Sequence, residues 1–196
     1  MSARAASETL VPRFDILTDA ALVVGGAGLV AGAAQISVSL PFTPVPITGQ
    51  TFAVLLVGAS LGTIRGLASL VLYVGLGIAG APIYADHAHG WSVVTSASGG
   101  YLVGFALAAA LVGYLAEHHW DRRFSSSIGA MLTGNVVIYL VGLPWLAVVL
   151  DTNLEKTLEY GLYPFIPGDV FKLYLAAIVL PGAWRLVGRV DRRRSP

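Results

Sequence analysis

Two charged side chains stand inside an otherwise apolar stretch near the C-terminal end, Asp169 and Lys172 in Pro167-Gly168-Asp169-Val170-Phe171-Lys172. On a helix a spacing of three puts them on one face, about 4.5 Å apart along the axis. A carboxylate accepts N–H groups and an ammonium meets an anion, so the pair has the chemistry of a ligand site. The competing reading is a structural ion pair, with Asp169 as a cap where a helix N-terminus favours negative charge. A cap alone does not call for a lysine one turn into apolar sequence, where a charge costs at least about 2.5 kcal/mol at a bilayer centre. Asn135 and Tyr139, four apart, share a face on another apolar segment. An amide at that depth must find a partner, either a neighbouring helix or a ligand. Gln50 closes a proline-rich stretch and carries the same two readings, helix cap or ligand contact. Tyr84, Asp86, His87, His89 and Trp91 cluster further along. Two histidines and an aspartate hint at a metal, but no further ligand of suitable spacing follows, and a solvated loop is expected instead.

No catalytic constellation accompanies these residues. HExxH, GxSxG and Walker A patterns are all missing. The chain has no cysteine, which excludes disulfides, thiolate metal sites and a cysteine nucleophile. No cofactor is expected, and the chain does not read as an enzyme. Without a nucleotide motif, active transport would draw its energy from a partner or an ion gradient.

The elements that must position these groups are apolar helices. Of 196 residues 56% are hydrophobic and 12% charged, where a soluble domain carries about 25% charged. The mean hydropathy is +0.74. A membrane-spanning helix needs about 20 mainly apolar residues. Six candidates are visible, at about Ile16–Val38, Gln50–Thr63, Gly66–Gly80, Gly99–Ala116, Ser127–Leu150 and Gly168–Val187. The expected fold is therefore an all-α integral membrane protein of six transmembrane helices. Residues 1–15 form a cytoplasmic N-terminal segment, 16–187 the membrane domain and 188–196 a basic cytoplasmic tail.

The second candidate is short. At 1.5 Å per residue it covers about 21 Å, less than the hydrocarbon core of roughly 30 Å. The stretch before it, Pro41-Phe42-Thr43-Pro44-Val45-Pro46-Ile47-Thr48-Gly49-Gln50, has three prolines and no charge. It cannot be helical throughout, and it is unusually apolar for a solvated loop. Non-helical backbone at membrane depth survives where protein buries it or where it lines a cavity. A re-entrant or lid-like loop between the first two helices is expected.

Basic residues set the direction. With a cytoplasmic N-terminus, Arg4, Arg13, Arg65, Arg122, Arg123, Arg185, Arg189, Arg192, Arg193 and Arg194 all fall inside, and the outer loops hold only Lys156. An even number of spans then puts both termini in the cytoplasm and the Asp169–Lys172 pair at the outer mouth. The charges sit at segment ends and no basic face interrupts the apolar stretches, so nucleic acid is not an expected partner; membrane lipid is. Glycine is abundant at 23 residues, against roughly 14 in an average chain of this length. Small residues recur every four positions, as at Ala27 and Ala31, which lets helices approach closely in lipid. The first helix, small over much of its surface, is a candidate docking face.

Several of these segments resemble the BioY family, the biotin-binding S components of energy-coupling-factor transporters. The most specific part is Pro44-Val45-Pro46-Ile47-Thr48 with Gln50-Thr51-Phe52, running into Ala53-Val54-Leu55-Leu56 and Gly58. Gly77 through Pro82 with Tyr84-Ala85 resembles that family's third-helix exit, although Phe is more usual than Tyr84. Gly99-Gly100-Tyr101-Leu102 with Gly104-Phe105, and Pro164-Phe165 with Gly168-Asp169 and Lys172, resemble the starts of its fourth and sixth helices. Ser96-Ala97-Ser98 replaces the usual Gly-Pro-Thr, and Gly49 a usual Leu. The resemblance implies a six-helix component in the plasma membrane that captures biotin from outside under the loop between helices one and two. It also implies docking, through the face around Ala27 and Ala31, on a transmembrane T component driven by two ATPase subunits. Thr48, Gln50, Tyr84, Asn135, Tyr139, Asp169 and Lys172 are the residues expected at the ligand. Which of them meets which group of biotin stays open, and an S component for a different vitamin, a membrane enzyme acting on lipid or peptide, and a structural subunit are the alternatives.

Overall fold

The computed structural model describes residues 16–121, 123–175 and 178. Helix α1 spans Ile16–Ala34. Two short strands follow, β1 at Ser37–Val38 and β2 at Ile47–Thr48, paired antiparallel with Ser37 opposite Thr48. Helix α2 is Gln50–Ile78. A 3-10 turn at Ala85–His87 and the one-turn helix α3 at Trp91–Val94 lead into α4 at Gly99–Glu117. Helix α5 is Phe124–Leu150 and α6 is Leu154–Gly161. Residues 166–175, α7, are helical again. Among the described residues four helices, α1, α2, α4 and α5, are long and apolar enough to cross a membrane.

Helix α2 holds both the second and the third expected segments. Gly62, at φ 82° and ψ −177°, breaks it, in a region of backbone space that only glycine occupies without strain. The two arms fold back on each other. The Gln50 amide Nε2 donates to the Tyr73 hydroxyl at 2.8 Å, although 23 residues of straight helix would separate them by roughly 34 Å. Close approach continues into the neighbouring helix: a Cβ on Gly58 would lie 2.5 Å from the Ala109 carbonyl oxygen of α4. The α2 hairpin packs most extensively against α4, and α4 packs in turn against α5. The core runs along these contacts, through Val54, Leu70, Tyr73, Ala108, Val112, Met131 and Ile138.

The first helix ends earlier than its apolar run. Ser37 and Val38 leave the helix to pair with β2: the prolines at 41, 44 and 46 cannot continue a helix, the chain turns at 41–42 and bends at 44–45, and a two-residue ladder satisfies part of the backbone. The α4 and α5 segments agree with expectation to within three residues at either end. Helix α7 begins at 166, two residues before the expected start, with Pro167 in its first turn, where a missing N–H costs nothing. Expected positions 176, 177 and 179–187 of that segment lie outside the described residues, as do 1–15 and the tail 188–196.

The connections divide between two ends. At one end meet residues 35–49, 79–98 and 151–165, held by Thr43 Oγ1 donating to the Tyr160 carbonyl at 2.6 Å and Tyr101 OH donating to the Gly161 carbonyl at 2.9 Å. At the other, Arg65 pairs with Asp19 at 2.5 Å. There the Glu117 carboxylate also accepts the Thr63 amide at 2.7 Å and its hydroxyl at 2.9 Å, capping the second arm of α2.

Candidate ligand-binding site

A cavity of about 240 Å³ opens at the end where residues 35–49 and 79–98 meet. Each element contributes by a local device. The β1–β2 pairing returns the chain so that Val45, Pro46 and Thr48 form one wall. Gln50 and Thr51 enter from the first turn of α2, and Tyr84, Ala85 and Ala88 from the turn beyond it. Tyr101, Leu102 and Phe105 come from one face of α4, Ile138 and Tyr139 from α5, and Phe165 and Lys172 from the α7 region. The lining is mainly apolar and aromatic, with a few polar groups converging on it, the usual make-up of a small-molecule pocket.

Lys172 is the one charged side chain among the lining residues described. Its ammonium donates to Thr51 Oγ1 at 2.8 Å and to Asp169 Oδ1 at 3.4 Å. The other Asp169 oxygen accepts the Tyr139 hydroxyl. Asp169 is buried and does not line the cavity; its contacts go to the two residues that do. The Tyr139 ring stands edge-on to Tyr101, and Tyr101 stacks with Phe165 at 6.4 Å between centroids. These contacts fix the aromatic wall beside the ammonium.

A second network backs the wall formed by Thr48 and Gln50. Thr48 Oγ1 donates to Gln50 Oε1 at 3.0 Å, Gln50 Nε2 to Tyr73, and the Tyr73 hydroxyl to the Ile83 carbonyl at 3.3 Å. Both amide atoms of Gln50 are thus engaged with protein at the cavity edge. Tyr84 is buried, and its hydroxyl donates to the Val74 carbonyl at 2.7 Å. Burial pushes its phenol up from the ordinary tyrosine value.

Of the seven residues expected at a ligand, Thr48, Gln50, Tyr84, Tyr139 and Lys172 line the cavity, and Asp169 braces two of them. Asn135 does not line it. It is buried one turn from Ile138 and Tyr139, with Oδ1 unpaired among the described residues. Thr51, Tyr101, Phe165, Ser96 and Ser98 were not among the expected set. Thr51, Tyr101 and Phe165 stand inside the motifs quoted above, but their facing depends on the elements packed around them. His87 and His89 lie in the exposed turn beside Tyr84, and among the described residues no three His, Cys, Asp or Glu side chains come together. Ala27 is buried and Ala31 half-buried on α1, while the glycines of that helix with open space are Gly25, Gly28 and Gly32.

Apolar helices of spanning length around an aromatic-walled cavity open at one end define a multi-pass membrane protein with a pocket of small-molecule size. The sequence profile of the BioY family matches residues 3–189, and the chain belongs to that family. It is 35% identical over 149 residues to the biotin transporter BioY of Rhizobium etli, covering 72% of this chain and 79% of that one. It is 34% identical over 142 residues to the biotin transporter BioY of Thermotoga maritima, covering 72% and 82%. Among solved structures, the S-component for biotin from an ECF-type ABC transporter matches with a TM-score of 0.75 over 86% of this chain and 92% of that chain, at 22% identity. It therefore shares the fold.

Proposed function

We propose that this chain is the biotin-binding membrane component of a vitamin uptake transporter. The observation that carries the reading is Lys172, the one charge among the lining residues described, held by Thr51 and Asp169 in an aromatic cavity, in a chain whose relatives are named biotin transporters. Biotin offers an apolar bicycle, two ureido N–H donors, a carbonyl acceptor and an anionic tail. The aromatic wall of Tyr101, Tyr139 and Phe165 suits the bicycle. The hydroxyls of Thr48, Ser96 and Ser98 suit the ureido group. Lys172 suits an oxygen of the ligand, and Asp169 acts by orienting it. Asn135 contributes from below if the ligand reaches the level of Ile138.

The same reading takes six spans, counting the two arms of α2 separately and α7 as the last. It places both termini in the cytoplasm, so that the cavity faces outside the plasma membrane and the segment before α2 acts as its lid. Delivery then requires a T component and two ATPase subunits, docking on α1 where Gly25, Gly28 and Gly32 leave open surface beside Ala31; Ala27 stands behind them against the α2 hairpin. Calorimetric titration of the detergent-purified chain with biotin, against a panel of other vitamins, tests the assignment. One-to-one binding of biotin alone is expected. No heat at micromolar biotin, or preference for another vitamin, overturns it.

A further inference from the structure

The segment 36–49 crosses the cavity end as a strap, and its two sides are fastened differently. On one side Thr43, itself buried, donates to the Tyr160 carbonyl at 2.6 Å and accepts the Val45 amide at 3.2 Å. On the other side the fastenings are exposed, apart from the part-buried bond of Gln35 to the Tyr84 carbonyl. Gln35 shares its Nε2 hydrogens among the carbonyls of Ala31, Ile83 and Tyr84 at 3.1–3.3 Å, and its Oε1 accepts the His87 amide at 3.2 Å. Ser39 donates to Asp86 Oδ2 at 3.1 Å. Gln35, Ser39, Asp86 and His87 are all exposed.

Water competes more strongly for exposed hydrogen bonds than for part-buried ones, so the Gln35–Ser39 side is the weaker. Backbone strain adds to the difference. Asp86 and His87 are consecutive non-glycine residues at φ 56° and 58°, a conformation that persists only where its surroundings hold it. The turn's own bonds, Tyr84 N–H to the Ala88 carbonyl and Ala88 N–H to the Ala85 carbonyl, are joined here by the Gln35 and Ser39 side chains, which tie it to the strap. The turn so held carries Tyr84, Ala85 and Ala88 into the cavity, and the strap carries Val45 and Pro46 into it from the facing side.

We infer that Gln35 and Ser39 are positioning residues that latch the mouth of the cavity: the strap opens on their side, swinging about the part-buried Thr43–Tyr160 contact, and the strained Asp86–His87 turn relaxes as it does. This deepens the proposed biotin site by naming what regulates access to it. A ligand must pass the same mouth in both directions, so weakening the latch speeds association and dissociation together and moves the equilibrium constant less. Loss of a direct ligand contact would raise dissociation alone.

The test uses the full chain in lipid nanodiscs, as wild type and as Gln35→Leu, Ser39→Ala and Thr43→Val, with Lys156→Ala as a control on the same end. Association and dissociation of radiolabelled biotin are followed by mixing and by chase. Amide exchange of 36–48 and 83–88 is followed separately without ligand. Gln35→Leu is expected to speed both rates about tenfold, the factor for about 1.4 kcal/mol, or one to three exposed hydrogen bonds. Ser39→Ala should speed them less. Exchange in both segments should rise together while that of Gly99–Glu117 stays as in wild type. Thr43→Val speeding both rates with Gln35→Leu and Ser39→Ala unchanged would place the opening on the other side and overturn the latch. Dissociation alone rising in Gln35→Leu, or unchanged exchange there, would overturn it as well. If wild type binds no biotin, the functional reading fails, and the exchange measurement still decides the latch.

Discussion

Replacing Lys172 by methionine keeps the length of the stem and removes the one charge among the lining residues described. The ammonium lies 3.4 Å from Asp169 Oδ1 and 2.8 Å from Thr51 Oγ1, with Lys172 17% and Asp169 7% exposed. At an effective dielectric of 20 the gross attraction of the pair is about 5 kcal/mol, and the desolvation of both ions offsets most of it. What a ligand oxygen gains from the ammonium is a charged hydrogen bond, about 1.5–3 kcal/mol. Lys172→Met should therefore weaken biotin binding roughly 10- to 150-fold. It should also lower stability, because Asp169 keeps only the Tyr139 hydroxyl. Asp169→Asn has the mirrored effect and should cost about 2 kcal/mol of stability, less than a fully buried pair because Lys172 keeps some water. The double variant Lys172→Met/Asp169→Asn removes the imbalance. It should regain thermal stability and stay weak for biotin. Calorimetric titration with thermal melting of all three separates the two effects. A double variant that binds within threefold of wild type would refute the view that Lys172 touches the ligand.

Gly62→Ala places a side chain at φ 82°, ψ −177° and should destabilise the α2 hairpin by at least about 1–3 kcal/mol, read as a lowered melting temperature in detergent. Glu117→Gln weakens the two bonds to Thr63 and removes a negative charge at the start of the second α2 arm; about 1 kcal/mol of stability should go, with biotin affinity unchanged because the site is at the other end. Tyr84 has a phenol raised above its ordinary value by burial. The neutral form is the one the fold favours, so its contribution is complete below about pH 10 and is lost as pH rises through the raised value. Tyr84→Phe should flatten that alkaline loss in a melting-versus-pH series and cost about 1 kcal/mol at neutral pH by leaving the Val74 carbonyl without the phenol.

Much of this molecule was legible before any fold was drawn. Apolar segments of spanning length announce themselves because a bilayer demands about 20 such residues in a row, and the α4 and α5 segments follow that rule. Asp169 and Lys172 were conspicuous for the same reason, since charge in apolar sequence is costly and is kept for a purpose. The proline run before Gln50 marked a break, because proline cannot continue a helix. Tertiary structure alone decided how these parts meet. The sequence placed the break between the second and third segments at 64–65, beside the Gly62 where the chain folds back, but the Gln50–Tyr73 contact that the fold-back brings had no sign in hydropathy. Whether Thr51, Tyr101 and Phe165 face the cavity depends on helix rotation set by packing against small residues such as Gly58. Asn135 looked like Tyr139's companion by spacing, yet a one-turn difference in depth leaves it buried below the lining. The charge pair that drew attention first was visible as chemistry. Its division of labour, Lys172 at the cavity and Asp169 behind it with Tyr139, exists only once α5 and α7 are side by side.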